Sequence, residues 1–217
     1  MNFFLCMMMI LGVNEAEHPE YRMIRPTVVY DENIDPEDEW LGLFDYATCN
    51  RLNHVEMLLT IEDTTVHERD KPAGMTVELP EETHQPLILL SSSPPVLSDG
   101  PVLTVIHDYM HLLPNLSILF GERDLEEVRL FTTVDGLFLS NERLQQHITG
   151  TYPGIERSET YMGIVWAGDI DRDGKLDLLL NDVRGEQLQY SWDLYLSSEA
   201  SPDQLVRKVA SFQEIFD

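Results

Sequence analysis

The chain is built from short apolar segments with turn residues between them. Each segment is four to seven residues long, and Pro, Gly, Asn or Asp stands in most of the gaps. Segments this short cannot sustain the 3.6-residue apolar spacing of an amphipathic helix, whereas they have the length of strands. Several short strands in succession are typical of an antiparallel sandwich or barrel-like sheet. The predicted strands are residues 55–61, 75–79, 86–90, 102–106, 116–120, 128–132 and 137–140.

The last quarter of the chain has the clearest strand pattern. Four apolar segments follow one another with short polar connections, which predicts a β-meander over residues 161–217. The four segments are residues 161–166, 176–180, 191–196 and 205–212. The predicted fold class is therefore mainly β, an antiparallel sandwich or barrel-like sheet with a C-terminal meander. Residues 91–95 are expected to form a loop, and residues 143–148 a single helical turn.

The first part of the chain differs from the rest in composition. An apolar run at residues 3–13 is followed by acidic sequence, which favours a signal peptide over residues 1–16; spanning a bilayer would take about 20 apolar residues. No basic residue precedes the run, so a buried N-terminal strand is the alternative. We expect an acidic linker at 17–39, one β-rich domain at 40–217, and a periplasmic or secreted location.

The charge balance restricts the possible partners. Fourteen Lys and Arg against 39 Asp and Glu leave a net charge of −25. Such a chain repels phosphate backbones and anionic lipid surfaces, so we predict neither nucleic-acid binding nor binding to a membrane surface. We also predict no membrane span, because the apolar run at residues 3–13 is shorter than the roughly 20 residues that a span requires. The same charge attracts cations and basic protein surfaces, which leaves a basic protein partner open.

One loop has the spacing of a calcium site. Its carboxylates occupy loop positions one, three, five and nine, and Gly174 at position six permits a sharp reversal of the backbone. Calcium takes six to eight oxygen ligands, and the main-chain carbonyl of Lys175 can add one to those of the side chains. The predicted carboxylate ligands are Asp169, Asp171, Asp173 and Asp177.

The same loop departs from the EF-hand pattern. An EF-hand needs a bidentate Glu at position twelve, where this chain has Leu180, and it needs helices on both sides. Magnesium is less suited to a cage made only of protein oxygens. A solvated acidic turn that binds no ion is the remaining alternative, because carboxylates repel each other only weakly in water.

The segment from Trp166 to Leu179 resembles the calcium-binding loop of FG-GAP/VCBS-type repeats, known from integrin α-chain propellers. With residues 40–43, 194–198 and 205–210, the chain also resembles uncharacterised bacterial exported proteins that have one such C-terminal loop. The resemblance implies an all-β fold, export and one calcium ion, and it implies no activity.

His107 and His111 are four residues apart and suggest a zinc or hydrolase site. Zinc proteases of that type carry Glu after the first His, where this chain has Asp108, and Pro114 and the β-like residues 102–106 argue against a helix. We therefore predict a non-enzymatic exported protein with one structural calcium site. The alternatives are an acidic inhibitor or immunity-type protein that neutralises a basic toxin or enzyme, and a hydrolase that uses His107 and His111.

Overall fold

The computed structural model describes the chain in eleven stretches. They are residues 19–26, 29–30, 34–35, 38–46, 49–55, 58–61, 75–79, 84–121, 125–149, 161–184 and 189–215. These stretches contain strands and no helix, which confirms the predicted mainly β fold class. Each pairing between described strands is antiparallel, and one sheet is barrel-like.

The strands up to the middle of the chain are β1 Glu20–Ile24, β2 Val29–Tyr30, β3 Leu41–Tyr46, β4 Cys49–His54, β5 Leu58–Ile61, β6 Met75–Glu78, β7 Ile88–Ser93, β8 Gly100–Ile106 and β9 Met110–His111. The later strands are β10 Ser117–Phe120, β11 Val128–Thr133, β12 Gly136–Ser140, β13 Gln145–Thr149, β14 Tyr161–Asp169, β15 Asp177–Arg184, β16 Gln189–Leu196 and β17 Arg207–Ile215.

The largest sheet has ten strands and nearly closes on itself. Its order is β1-β7-β3-β4-β8-β14-β15-β16-β17, with β9 paired to β14. The two ends of this order, β1 and β17, lie beside each other, which gives the sheet its barrel-like shape. Strands β14 to β17 are consecutive neighbours, so the predicted C-terminal meander is confirmed.

Two smaller sheets accompany the barrel. A four-stranded sheet has the order β10-β11-β12-β13, and a three-stranded sheet has the order β2-β6-β5. The buried face of the four-stranded sheet, which includes Leu130 and Leu139, shares an apolar cluster with Ile164 and Leu178 of the meander. This sheet therefore covers the outer face of the barrel at the meander.

Strand β15 is buried on both faces, inside the barrel and under the four-stranded sheet, and this explains its continuous apolar run. Leu179 belongs to the core inside the barrel, whereas Leu178 and Leu180 belong to the cluster under the four-stranded sheet. Neighbouring side chains in a strand point to opposite faces, so a strand that is buried on both faces needs apolar residues at each position. In β14 a bulge between Ile164 and Trp166 shifts this alternation by one residue.

The prediction of a helical turn at residues 143–148 is wrong. Residues 145–149 form β13, which pairs with β12. The side chain of Gln146 explains why this segment is a strand and not a helical turn, because it bonds to the main chain of Leu205 and Val206 across the sheet interface. The predicted loop at 91–95 is also too long, since β7 continues to Ser93 in partnership with β1.

The description of residues 17–39 as a linker does not hold for Glu20–Ile24. This strand alternates exposed Glu20 and Arg22 with buried Tyr21 and Met23, and it pairs with β7. The expected signal peptide at 1–16 lies outside the described residues. Within its described stretches the chain has no helix that is long and apolar enough to cross a membrane.

Candidate metal centre

The Asp-rich loop is the turn of the β14–β15 hairpin. Asp169 is the last residue of β14 and Asp177 is the first residue of β15. Beside these two residues, Ile170 and Leu176 are almost completely buried. The two apolar side chains hold both ends of the loop against the core, so that the residues between them must close a tight turn.

The loop backbone twice enters the left-handed region. Gly174 has a φ of 81° and Arg172 a φ of 67°. Glycine adopts such a conformation without steric cost, which explains its place at the turn. The main-chain carbonyl of Gly174 accepts a hydrogen bond from the Glu126 N–H at 3.1 Å, so the loop is also attached to the segment before β11.

Three of the predicted carboxylates converge. Asp169, Asp171 and Asp177 each offer a carboxylate oxygen, and these oxygens lie within 4.8 Å of one another. Asp169 and Asp177 are buried, and Asp171 is half-buried. Negative charges this close repel each other strongly away from water, and a cation between them would remove the repulsion. The group could hold a metal ion.

Asp177 has no exposed surface and accepts bonds on both oxygens. One oxygen accepts the Ile170 N–H at 2.8 Å, and the other accepts the N–H and the hydroxyl of Ser197 at 2.8 and 2.9 Å. Burial raises the pKa of Asp177 well above its usual range, and the charge of Asp171 adds to this rise. The bonds from Ser197 and Ile170 act in the opposite direction by stabilising the charged form.

Asp169 is oriented by the turn itself. Its two oxygens accept the N–H groups of Asp173, at 3.0 Å, and of Gly174, at 2.9 Å. Asp171 accepts the same Asp173 N–H at 3.2 Å and a hydroxyl bond from Ser198. Burial raises the pKa of Asp171; the Ser198 bond lowers it, and the charge of Asp173 raises it further.

The fourth predicted carboxylate, Asp173, is not among the three that converge. One of its oxygens accepts the Lys175 N–H at 2.8 Å and the Ser197 hydroxyl at 3.1 Å, and the other lies 3.6 Å from the Lys175 ammonium. Lys175 itself is exposed. We call Asp169, Asp171 and Asp177 the metal-type group, and their loop the metal-type loop. Asp173 lies between this group and the connection from β16 to β17.

The connection between β16 and β17 completes the surroundings of the loop, and sequence reasoning missed it. Ser197 bonds to Asp177 and Asp173, and Ser198 bonds to Asp171. Two adjacent serines form no sequence pattern that would predict contacts with a carboxylate loop. Their role follows from the pairing of β15 with β16, which brings the end of β16 beside the start of β15.

Arg172 attaches the loop to the start of the neighbouring strand β8 and to the connection that precedes it. Its guanidinium donates to the carbonyls of Pro101 and Ser98, each at 3.0 Å, and to the Ser98 hydroxyl at 2.8 Å. At Gly100, with a φ of 136°, an added Cβ would lie 2.8 Å from an Arg172 nitrogen. The close approach of Arg172 thus favours glycine at that position.

The two histidines of the alternative hypothesis lie elsewhere. His107 follows β8 and faces the exposed Asp108 at 3.7 Å, while His111 lies in β9 and has an edge-to-face contact with Tyr109. In the part of the chain that the structure describes, neither belongs to a group of metal-type ligands. No known protein family, curated protein or solved structure gives a significant match to this chain.

The donor set fits a hard cation. Carboxylate oxygens are the ligands that calcium, magnesium and manganese prefer, whereas zinc and copper favour nitrogen or sulfur. Each carboxylate oxygen has two lone pairs, so an oxygen that already accepts a loop N–H can still bind an ion. The N–H bonds fix the carboxylates of Asp169 and Asp177 before any ion arrives.

Proposed function

We propose that this chain is a non-enzymatic, exported β-protein that binds one structural calcium ion in the loop of residues 169–177. The observation that carries the proposal is the convergence of Asp169, Asp171 and Asp177 within 4.8 Å. Calcium accepts irregular oxygen geometry and several carboxylates, whereas magnesium demands a near-ideal octahedron and keeps much of its water. A loop made of Asp side chains therefore suits calcium better.

The remaining ligands are proposed to come from the same loop. A turn of the Asp173 carboxylate away from Lys175 would add a fourth carboxylate, and the Lys175 carbonyl would add a main-chain oxygen. Water would complete the six to eight positions. Asp173 contacts Ser197 and Lys175 by bonds that are partly exposed, so such a turn breaks few interactions.

A structural role follows from where the ligands lie. They belong to one hairpin, and Ser197 and Ser198 tie them to the β16–β17 connection. An ion bound there would hold these two turns of the meander together. An ion that joins two adjacent turns stabilises the fold. Catalysis by a metal instead needs an open coordination position that faces a substrate.

Calcium titration tests the proposal. Binding to the folded chain alone raises the free energy of unfolding by about 2.7 kcal/mol when calcium exceeds its Kd a hundredfold. For an extracellular module we expect a Kd of about 0.1 to 1 mM. Isothermal calorimetry should therefore give one site for calcium, with much weaker heat for magnesium, and the melting temperature should rise by several degrees in millimolar calcium.

A matched pair of variants provides the control. Asp171→Asn removes one negative charge and leaves a weaker amide oxygen in place of the carboxylate, so it should strongly reduce the calcium effect. Asp135→Asn makes the same change at an exposed residue of the β11–β12 turn and should leave it intact. Identical melting curves for the folded wild-type protein in calcium and in chelator would refute the site.

Export is a separate part of the proposal and has its own test. The apolar run before acidic sequence supports cleavage after Ala16. Mass spectrometry of the protein from its native host should find a chain that starts at Glu17. Recovery of the chain with Met1 intact would remove export from the proposal without affecting the calcium site.

A further inference from the structure

A cleft of about 300 Å³ lies between the four-stranded sheet and the meander, next to the metal-type loop. Buried apolar side chains form much of its lining, among them Val128, Leu139, Leu176 and Val206. Its volume is at the lower end of the range of small-molecule sites, which are mostly apolar with a few polar groups at defined places. The cleft is therefore suited to a small ligand with an apolar part.

The charged lining residues are two cations and one anion. Arg143 and Lys175 contribute positive charge, although Lys and Arg make up only 14 of the 217 residues. The one acidic lining residue, Glu126, accepts a hydrogen bond from the Asn141 amide at 3.3 Å. Lys175 is paired with Asp173, and Ser197 and Ser201 of the lining bond to Asp177 and Asp203, so carboxylates beside the cleft offset its two cations.

Arg143 is the cation that is available to a ligand. Lys175 lies 3.6 Å from Asp173, whereas the Arg143 guanidinium makes no hydrogen bond or ion pair with any residue that the structure describes. The Asn141 side chain accepts the N–H groups of Arg143 and Leu144, each at 2.9 Å, and so fixes the backbone of Arg143.

The walls of the cleft are held in place without a ligand. From β13, the Gln146 carbonyl oxygen accepts the N–H groups of Leu205 and Val206 at 2.6 and 3.0 Å, and its amide donates to the Val206 carbonyl at 2.7 Å. These three bonds fix the β16–β17 connection against the four-stranded sheet. A preformed cleft loses less conformational entropy when it binds.

We propose that this cleft binds a small amphipathic carboxylate, with its short aliphatic part on the apolar lining and its carboxylate at Arg143. A guanidinium recognises a carboxylate by two parallel hydrogen bonds, which a neutral amide or an amine cannot reproduce. The carboxylates of Asp173 and Asp177 adjoin the lining at Ser197, so the preference for an anion rests on the direct contact with Arg143 and not on the local field. The proposal goes beyond calcium binding and does not depend on it.

Hexanoate is the probe, used with the full chain at physiological ionic strength and monitored by NMR titration in chelator and again in calcium. We expect saturable binding in the millimolar range, with shifts at Leu144, Ala200 and Leu205 of the lining. Butyrate should bind more weakly because it covers less of the apolar lining, and hexanamide and hexylamine should bind at least tenfold more weakly because they lack the carboxylate.

Two variants test the site itself. Arg143→Gln should weaken hexanoate about tenfold, the effect of losing one exposed charge-assisted contact. Ala200→Leu places a larger side chain in the lining and should block the probe. Arg129→Gln, the same charge change on the outward face of β11 and away from the cleft, should bind hexanoate like the wild type. Melting curves establish that each variant is folded.

The outcomes are distinct. Hexanoate binding that depends on Arg143 and is blocked at Ala200 supports the proposal, with or without calcium. Equal binding of hexanoate and hexanamide, loss of affinity in Arg129→Gln as large as in Arg143→Gln, or no saturable binding overturns it. A folded chain that binds hexanoate but not calcium would refute the metal site and leave the cleft intact.

Discussion

At the scale of single residues, Asp171 and Asp177 have the same side chain and opposite surroundings. Asp177 is fully buried and three hydrogen-bond donors converge on it, whereas Asp171 is half-buried and accepts bonds from Asp173 and the exposed Ser198. When a buried acceptor is removed or replaced by a donor, the donors around it are left without partners. Asp177 therefore supports the turn even without an ion, whereas the role that we propose for Asp171 is to bind one.

The first prediction separates these roles. In chelator, Asp177→Asn should lower the free energy of unfolding by about 2 kcal/mol, because the new NH₂ group faces an N–H donor that the oxygen accepted. Asp171→Asn should change it little or raise it, because it relieves repulsion among the carboxylates. Urea unfolding measures both. A larger loss in Asp171→Asn than in Asp177→Asn would contradict the assignment.

The second prediction concerns pH. Burial raises the pKa of Asp171 and Asp177, so the folded chain takes up protons at higher pH than the unfolded chain does. In chelator the free energy of unfolding should therefore increase as the pH falls from neutral toward the ordinary aspartate pKa of 3.8, and decrease as the pH rises through the folded-state values. Melting temperatures across this range measure the effect.

The stabilisation by calcium should depend on pH in the opposite direction. Because the ion binds ionised carboxylates, protons compete with it, and the rise in melting temperature that calcium causes should shrink as the pH falls. In Asp171→Asn the pH dependence in chelator should be shallower than in Asp135→Asn, which loses an exposed carboxyl instead. A calcium effect that grows on acidification would argue against carboxylate ligands.

At the scale of elements, Arg172 joins the hairpin loop to the connection between β7 and β8. The third prediction is that Arg172→Asn, which tolerates the left-handed φ of 67°, lowers the free energy of unfolding by about 1 kcal/mol through loss of its bonds to Ser98 and Pro101. It should also weaken calcium binding, since the loop is then less preorganised. Calorimetry and urea unfolding measure the two effects.

Arg207→Asn is the control for this change, because Arg207 is an exposed residue of β17 that lies outside the loop. It alters the net charge equally and should affect neither quantity. If Arg172→Asn bound calcium as tightly as the wild type, the loop would hold its shape without the contact to Ser98.

The elements that sequence could predict are those with a local pattern. The meander was predictable because its apolar segments are separated by polar turns. The burial of β15 on both faces became evident only from the two apolar clusters of the structure. Gln145–Thr149 was missed because its polar residues alternate only weakly; its strand depends on the partner β12 and on the Gln146 bonds. Glu20–Ile24 was missed because the surrounding acidic composition hid its alternation.

The candidate site likewise has residues that a local sequence pattern predicts and residues that it does not. The loop carboxylates follow a spacing within nine residues, so the sequence predicted them. The contacts of Ser197 and Ser198 join residues 20 and 27 positions apart, and they depend on strand register that no local pattern encodes. The contacts of Asp173 with Ser197 and Lys175, which keep it apart from the other three carboxylates, are likewise not encoded by the local spacing.

At the scale of the whole molecule, the loop lies near the seam where the barrel closes. Tyr21 of β1 donates to Glu199 at 3.0 Å, and β1 lies beside β17. Burial and the Glu199 bond raise the pKa of Tyr21, with further contributions from the charges of Asp171 and Asp177. The negative potential of the metal-type group thus reaches the first strand, so an ion bound there would affect both ends of the sheet.

The last prediction separates this local effect from the charge of the whole chain. A net charge of −25 opposes compaction, so monovalent salt should raise the melting temperature of the chelated protein by screening. At constant ionic strength, calcium should raise it further by several degrees, because a bound ion acts by mass action as well as by screening. Asp171→Asn should keep the response to salt and show a much smaller response to calcium, because it loses a charged ligand. If monovalent salt at equal ionic strength matched calcium in the wild type, the stabilisation would be general screening of an acidic surface, and the loop would be a solvated turn.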